Sequence, residues 1–499
     1  MPFSMRHWIV AIALLGALAC AHGVGLATRA AEAGGPELRA FAFRAVDNPI
    51  PVDSQGTIRE GEVRIFLPPG TPRGALQPTF TTSSGATVRV GGRLQASGTS
   101  VVDFTGPVRY VVAAPDGREH RYVVTVVTDL AAFDDVVQSL IRRYGIPAVS
   151  IAVTHGERLI YLKAYGWADR ASGERATTAS RFRLASVSKP ITAIAILRLV
   201  EQGKLRLSDR VFGQGALLGT TYGTPPYGPH IGDITVDHLL HHTAGGWPND
   251  AADPMFAQRA LLQGELISWT LDHHPLTHAP GMFYAYSNFG YCLLGRIIER
   301  VTGQPYEKAV KALVLEPLGI TDMTIGGGTL AEQLPGEVRY VGQGGDDPYV
   351  LDPRRMDAHG GWVATAYDLA QLLVHVDGFP EKPDILQPSS IKTMTTPSPA
   401  EPGYACGWAV NAGGDWWHVG GMSGTATEII RGGNGWGFVL LANTRSHSRR
   451  FDAEMVAVAR TALARLDEAP EYDLFTPDSP RGGSAAPSEA APARMSQCR

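Results

Sequence analysis

Phe182-Arg-Leu-Ala-Ser-Val-Ser-Lys-Pro-Ile-Thr192 is the stretch whose reading decides the fold. Ser186 and Lys189 stand three residues apart at the start of an apolar run that ends at Gly203. Residues at i and i+3 share one helical face, so a helix here lets the Lys189 amine reach the Ser186 oxygen. A serine hydroxyl is a weak nucleophile and needs such a neighbour to take its proton. Pro190 falls in the first turn, where a missing N–H costs little, and Gly203 is a natural terminator. The helix is apolar on nearly every side, which predicts burial in a sizeable core. Serine and lysine meet at this spacing in many helices by chance. The rest of the chain gives the pair its weight.

Upstream of this stretch, Phe133 to Tyr144 reads as an amphipathic helix. A strand at Ala148 to Val153, a turn at His155-Gly156 and a second strand at Leu159 to Leu162 follow. Strands flanking a large helical insert predict a mixed α/β domain over residues 130–470. Residues 35–129 look different: polar and apolar side chains alternate, and Gly, Pro, Ser and Asp interrupt them. Val108 to Ala114, then Pro115-Asp116-Gly117, then Arg121 to Val127 is a strong hairpin signal. Val63 to Leu67 and Thr87 to Val90 read as further strands, and the spacing predicts a small all-β sandwich. The tail, residues 471–499, is rich in Pro, Ser, Ala and Gly and is expected to be disordered.

The chain has 499 residues, which suits two or three domains. Its net charge of −4 carries no basic footprint for nucleic acid. Residues 1–31 read as an export signal and leader. Arg6 and His7 precede the apolar run Trp8 to Ala19, and Ala17-Leu18-Ala19 is a small-x-small cleavage site. That run is shorter than the roughly 20 residues that span a bilayer, so the mature chain is expected to be periplasmic or extracellular, with no transmembrane helix. Cys20 directly after Ala19 leaves lipid anchoring open, although Ala17 stands where a lipobox usually has Leu. Ordinary cleavage nearby is the expectation. Four cysteines (Cys20, Cys292, Cys406, Cys498) are too few for a disulfide scaffold. Cys292 and Cys406 are expected to be buried thiols rather than a bonded pair.

Two further motifs follow the first in order: Tyr286-Ser-Asn288 and His418-Val-Gly420. Supporting stretches are Ile234 to Gly246, His359 to Ala366 and Tyr404 to Trp408. With these the chain resembles the serine hydrolase family of class C β-lactamases, D-alanyl-D-alanine carboxypeptidases, D-aminopeptidases and related esterases. The resemblance covers roughly residues 131 to 465. The segment Phe80 to Val127 resembles bacterial immunoglobulin-like modules. The family resemblance implies a β-lactamase/penicillin-binding-protein-like catalytic domain that uses no cofactor. Ser186 is then the nucleophile, with Lys189 and Tyr286 sharing its proton. Asn288 offers an amide to substrate and to Lys189, and the backbone N–H groups of Ser186 and Gly421 hold the oxyanion. A tyrosine works as a base only when nearby cations depress its pKa; Lys189 and a protonated His418 are the expected cations. Gly420 and Gly421 let backbone approach ligand closely.

Two departures bear on substrate. The penicillin-recognising set uses Ser-Asp-Asn and Lys-Thr-Gly, whereas this chain has Tyr-Ser-Asn and His-Val-Gly. A neutral imidazole attracts a carboxylate less than an ammonium does, and Val419 lacks the hydroxyl of the usual threonine. The reading is therefore an exported hydrolase of ester or amide bonds, acting on a small molecule or a peptide, cell-wall peptide included. β-Lactamase action is the enzymatic alternative, and a non-catalytic wall-peptide binder is the alternative of another class. His238, His241 and His242 have a spacing that can bind metal, but they fall in a stretch matching a family segment without a metal role. No metal is expected.

Overall fold

The computed structural model describes residues 35–475 apart from 129 and 467. Alternation in the N-terminal part becomes eight strands: β1 (Leu38–Phe43), β2 (Ser54–Arg59), β3 (Glu62–Phe66), β4 (Pro78–Thr82), β5 (Thr87–Val90), β6 (Arg93–Leu94), β7 (Val108–Ala113) and β8 (Glu119–Val127). Tyr122, Val124 and Val126 of β8 face inward while the residues between them do not, the period of two that a half-buried strand requires. Gly117 holds φ of +85° in the tight turn joining β7 to β8, a conformation glycine adopts without a Cβ clash.

The hydrogen-bonded order is β4-β1-β2-β3-β8-β7-β5-β6, with β3 and β8 parallel. Neighbouring strands lie about 4.8 Å apart, so β1 and β7 would be distant in a flat sheet. Instead the Phe41 ring meets Tyr110 edge-on at 5.3 Å, and Phe43 meets Phe104 at 5.2 Å. The sheet therefore curls over an aromatic core of its own. The all-β expectation holds for this region. The strand order by itself assigns no immunoglobulin-like topology.

α1 (Ala131–Tyr144) leads into a second sheet. Its strands are β9 (Ala148–His155), β10 (Arg158–Asp169), β11 (Glu174–Arg175), β12 (Ala409–Val410), β13 (Trp416–Met422), β14 (Thr425–Arg431) and β15 (Trp436–Ala442). They are ordered β11-β10-β9-β15-β14-β13-β12, and every pair is antiparallel. The chain leaves this sheet after β11 and returns at β12, and the segment between holds the helical part. That part includes α2 (Ser188–Glu201), α3 (Asn288–Thr302) and α4 (Ala366–Leu373); α5 (Phe451–Leu463) closes the fold beside α1. Nearly all of α2 is buried, as its all-round apolarity predicts.

One boundary moves. Residues 471–475 belong to the packed structure rather than to a disordered tail: Tyr472 and Leu474 are buried. The Leu474 N–H donates to Leu159 O at 2.8 Å, and the Tyr472 hydroxyl donates to Ile160 O at 2.9 Å. Two apolar side chains alternate here before the Pro-, Ser- and Ala-rich composition begins, and that is enough to dock the segment on β10. The expected export signal, Cys20, Cys498 and the rest of the tail lie outside the described residues. Among the described residues no helix is long and apolar enough to cross a membrane.

Candidate active site

The strand Phe182–Arg183 pairs with Trp362–Ala364 and delivers the chain to a one-turn helix at Ala185–Val187, from which α2 continues. Ala185 holds φ of +47°, a left-handed conformation that costs a non-glycine residue on the order of 1 kcal/mol. The surroundings enforce it: the Leu184 N–H donates to Trp362 O at 2.8 Å, and the Thr427 hydroxyl donates to Leu184 O at 2.7 Å. β13 passes so close that a Cβ on Gly420 would lie 2.3 Å from Leu184 O and 2.2 Å from Thr427 Oγ1. Ser186 is left half-buried at the junction. Ser188 does not face the site; its Oγ accepts the Trp362 N–H at 3.3 Å.

Lys189 is fully buried. Its Nζ lies 3.1 Å from Ser186 Oγ, 2.8 Å from Asn288 Oδ1 and 3.2 Å from the carbonyl oxygen of His359. Burial pulls its pKa down to about 7, partly offset by the charge of Asp253. A neutral amine has two N–H groups and one lone pair. Asn288 Oδ1 and His359 O can only accept, so they take the two N–H groups, and the lone pair is left for the Ser186 proton.

Ser287 caps α3, its Oγ accepting the Gly290 N–H at 3.0 Å, which sets Asn288 in the first turn. The Asn288 amide donates to Asp253 Oδ2 at 2.9 Å and to Asn249 Oδ1 at 3.0 Å. Both Asn288 N–H groups are engaged in this way, and its oxygen holds Lys189. Asp253 is itself buried, with its pKa raised to about 6 mainly by desolvation.

Tyr286 also differs from expectation. Its hydroxyl hydrogen-bonds Ser186, and burial pushes its pKa up rather than down. The cations expected to depress it are weakened or absent: burial brings Lys189 down to about 7, so it is only partly charged at neutral pH, and His418 is pushed down to about 3 by burial and by Lys189. A phenol in this setting keeps its proton at neutral pH. The group poised to take a proton from Ser186 is Lys189, whose Nζ also lies 4.7 Å from the Tyr286 ring centre.

His418 is buried on β13. Its Nδ1 is 2.7 Å from Val419 O and its Nε2 is 3.1 Å from the Tyr404 hydroxyl. Gly420 faces the Ser186 turn; Gly421 is exposed, and a Cβ there would lie 2.7 Å from Arg445 Nε. The structure thus brings Ser186, Lys189, Tyr286, Asn288, His418 and Gly420 around one point. Asp253 and Asn249 escaped the sequence reading, since nothing in their local pattern marks them; His359 opens a supporting stretch, but the hold of its carbonyl on Lys189 was not read there.

The three histidines considered for metal go separate ways. His238 Nδ1 accepts the Thr235 N–H, His241 lies between Asp237 and Thr396 O, and His242 serves Ser287 and Tyr404. Cys292 and Cys406 are buried free thiols. Trp408 and Trp416 are core residues, and Trp417 is half-buried.

Comparison with known proteins bears on the family and the fold. The family profile described as Beta-lactamase matches residues 133–461, and one described as SGBP, N-terminal, matches residues 47–126. Esterase EstB of Burkholderia gladioli is 38% identical over 207 residues, 38% of this chain and 49% of that protein, so the match spans about half of its length. A protein of Escherichia coli strain K12 named as a D-alanyl-D-alanine carboxypeptidase is 28% identical over 305 residues, 54% of this chain and 69% of that one. The D-amino acid amidase of Ochrobactrum anthropi SV3, solved with L-phenylalanine amide, shares the fold with a TM-score of 0.55 at 23% identity. That likeness covers 68% of this chain and 98% of the amidase.

Proposed function

The chain belongs to the beta-lactamase family, and from that premise we propose that it is an exported serine hydrolase cleaving ester or amide bonds through an acyl-enzyme on Ser186. The observation that carries the proposal is the setting of Lys189. It is fully buried, has a pKa near 7, and holds two fixed acceptors besides Ser186 Oγ at 3.1 Å. Such a group matches a general base working at neutral pH.

In the proposed reaction Ser186 passes its proton to the neutral Lys189 amine while Oγ bonds to the substrate carbonyl carbon. The carbonyl pair moves onto oxygen. By family resemblance the backbone N–H groups of Ser186 and Gly421 receive that oxyanion. Collapse restores the C=O bond and expels the alcohol or amine, which takes a proton from the Tyr286 hydroxyl as the Lys189 ammonium resupplies it. Water then attacks the acyl carbon, gives its proton to the same network, and releases Ser186 with its hydroxyl restored. No step uses a cofactor.

Among the described residues, 35–128 carry no catalytic constellation, and the region 35–129 is given a spacer or packing role beside the catalytic region, 130–470. Export rests on the Arg6 to Ala19 pattern; N-terminal sequencing of protein recovered outside the cytoplasm tests it. Hydrolysis of p-nitrophenyl butyrate by the full chain and by Ser186→Ala tests the chemistry. Turnover that vanishes in the variant is expected, and equal turnover by both overturns the assignment.

A further inference from the structure

A chain of hydrogen bonds joins the second and third motifs, and its direction is forced at both ends. At one end the Ser287 backbone N–H, which can only donate, points at His242 Nδ1 at 3.0 Å. His242 Nδ1 must therefore accept, and the ring proton sits on Nε2. That Nε2 is 3.2 Å from the Tyr404 hydroxyl, so the Tyr404 oxygen accepts there. At the other end Val419 O, which can only accept, lies 2.7 Å from His418 Nδ1. His418 Nδ1 must carry the proton, and Nε2, 3.1 Å from Tyr404, is a lone pair. Tyr404 has one proton and gives it to His418.

One neighbour competes for that proton. Tyr291 donates its own hydroxyl proton to Leu240 O at 2.9 Å, so its oxygen can only accept from Tyr404; the imidazole lone pair of His418 is the more basic of the two acceptors. Burial holds Tyr404, Tyr291 and Tyr286 protonated and holds both imidazoles neutral; the Lys189 charge adds to the effect on both rings, and His241 adds to it at His242. All of these rings are gathered closely: Tyr404 lies 4.9 Å from His242 and 6.0 Å from His418, ring centre to ring centre, and Tyr286 lies 6.2 Å from His418.

We propose that Tyr404 is a positioning residue that locks His418 as a neutral Nδ1–H imidazole with no N–H to give a substrate, so that the third motif selects acyl groups lacking a carboxylate beside it. The substrate part of this inference rests on the hydrolase reading above; the tautomer part does not. A third motif with an ammonium would offer three donors to a carboxylate; this one offers none.

The test uses the full chain labelled with 15N-histidine, with the His418 signals identified by their loss in His418→Gln. Nitrogen–proton correlation spectra are expected to show His418 neutral, with its proton on Nδ1, from pH 6 to pH 8. A proton on Nε2, or an imidazolium at pH 7, overturns the proposal whether or not the protein hydrolyses anything. In Tyr404→Phe the lone pair loses its donor, and the His418 proton is expected to exchange between the two nitrogens. The preference in kcat/KM for p-nitrophenyl butyrate over p-nitrophenyl hemisuccinate is expected to fall about tenfold in that variant. An unchanged preference together with an unchanged tautomer overturns the role of Tyr404.

Discussion

Lys189 Nζ lies 2.8 Å from Asn288 Oδ1, and that oxygen faces the lysine because Asp253 and Asn249 hold the amide by its nitrogen. A buried carboxylate thus orients the amide that orients the base. Turning the Asn288 amide over would set N–H groups against N–H groups at Lys189, a loss of the kind that leaves buried donors unmade.

Asp253→Asn removes the charge in this arrangement while keeping a side chain that can cap the Pro254–Ala257 helix. The Asp253 charge favours the ammonium form of Lys189, so its loss lowers the lysine pKa further. The acid limb of kcat/KM is expected to move to lower pH, and kcat to fall roughly tenfold as Asn288 loses its orientation. A limb that stays in place in a pH–rate profile would separate Asp253 from Lys189.

The wild-type profile follows from the same group. The reactive form is the neutral amine, so kcat/KM is expected to rise with pH through about 7, where burial places Lys189. Lys189→Met should remove the limb together with roughly a thousandfold or more of the rate. Steady-state kinetics between pH 5 and pH 9 decide it.

Tyr286→Phe deletes the hydroxyl that bonds Ser186 and supplies the leaving group. Because that phenol is neutral rather than an ionised base, the acid limb should keep its position while kcat drops by roughly a hundredfold. A lost or shifted limb would instead identify Tyr286 as the titrating base.

Glu428 supplies a stability prediction. It is fully buried on β14 between Val419 and Leu440, and neither carboxyl oxygen has a partner among the described residues. Burial raises its pKa to about 8. Between an unfolded value near 4.5 and this one the folded chain holds the extra proton. Stability therefore declines as pH rises across that window, by on the order of 5 kcal/mol in all. Glu428→Gln should raise Tm by roughly 5 °C or more at pH 8.5 and leave it nearly unchanged at pH 5. Equal shifts at both pH values in thermal melts would argue against ionisation as the cause.

Gly420→Ala places a methyl 2.3 Å from Leu184 O, a backbone atom held in place by Thr427. The strand or the Ser186 turn must move, at a cost of about 3 kcal/mol by the scale of overpacked sites. Ester turnover should fall with the stability, measured by melts and kinetics on one preparation. A variant with normal Tm and normal turnover would show that β13 and the turn tolerate separation.

Where the sequence was legible, the signal was local. The hairpin at Asp116-Gly117, the all-round apolar helix after Ser188 and the strands on either side of His155-Gly156 each carry their period or turn chemistry within a dozen or so residues. The Ser186 and Lys189 pair was visible because a spacing of three residues brings them together. The expectation of a disordered tail from 471 was wrong for Tyr472 and Leu474, whose alternation is too brief to read without the β10 edge it docks on.

The sequence by itself determined the residue types and their order: Ser186 and Lys189, Tyr286 and Asn288, His418 and Gly420. That order, with the match to the beta-lactamase family, sets the fold and the kind of chemistry. Only the tertiary structure bears on which of these groups is set to take a proton. Proton affinity depends on desolvation and on neighbours brought in from far along the chain. Burial moved Lys189 down to about 7, kept Tyr286 protonated and His418 neutral, and recruited Asp253 and Tyr404 to hold them. Identity is written residue by residue; a pKa belongs to the packed site.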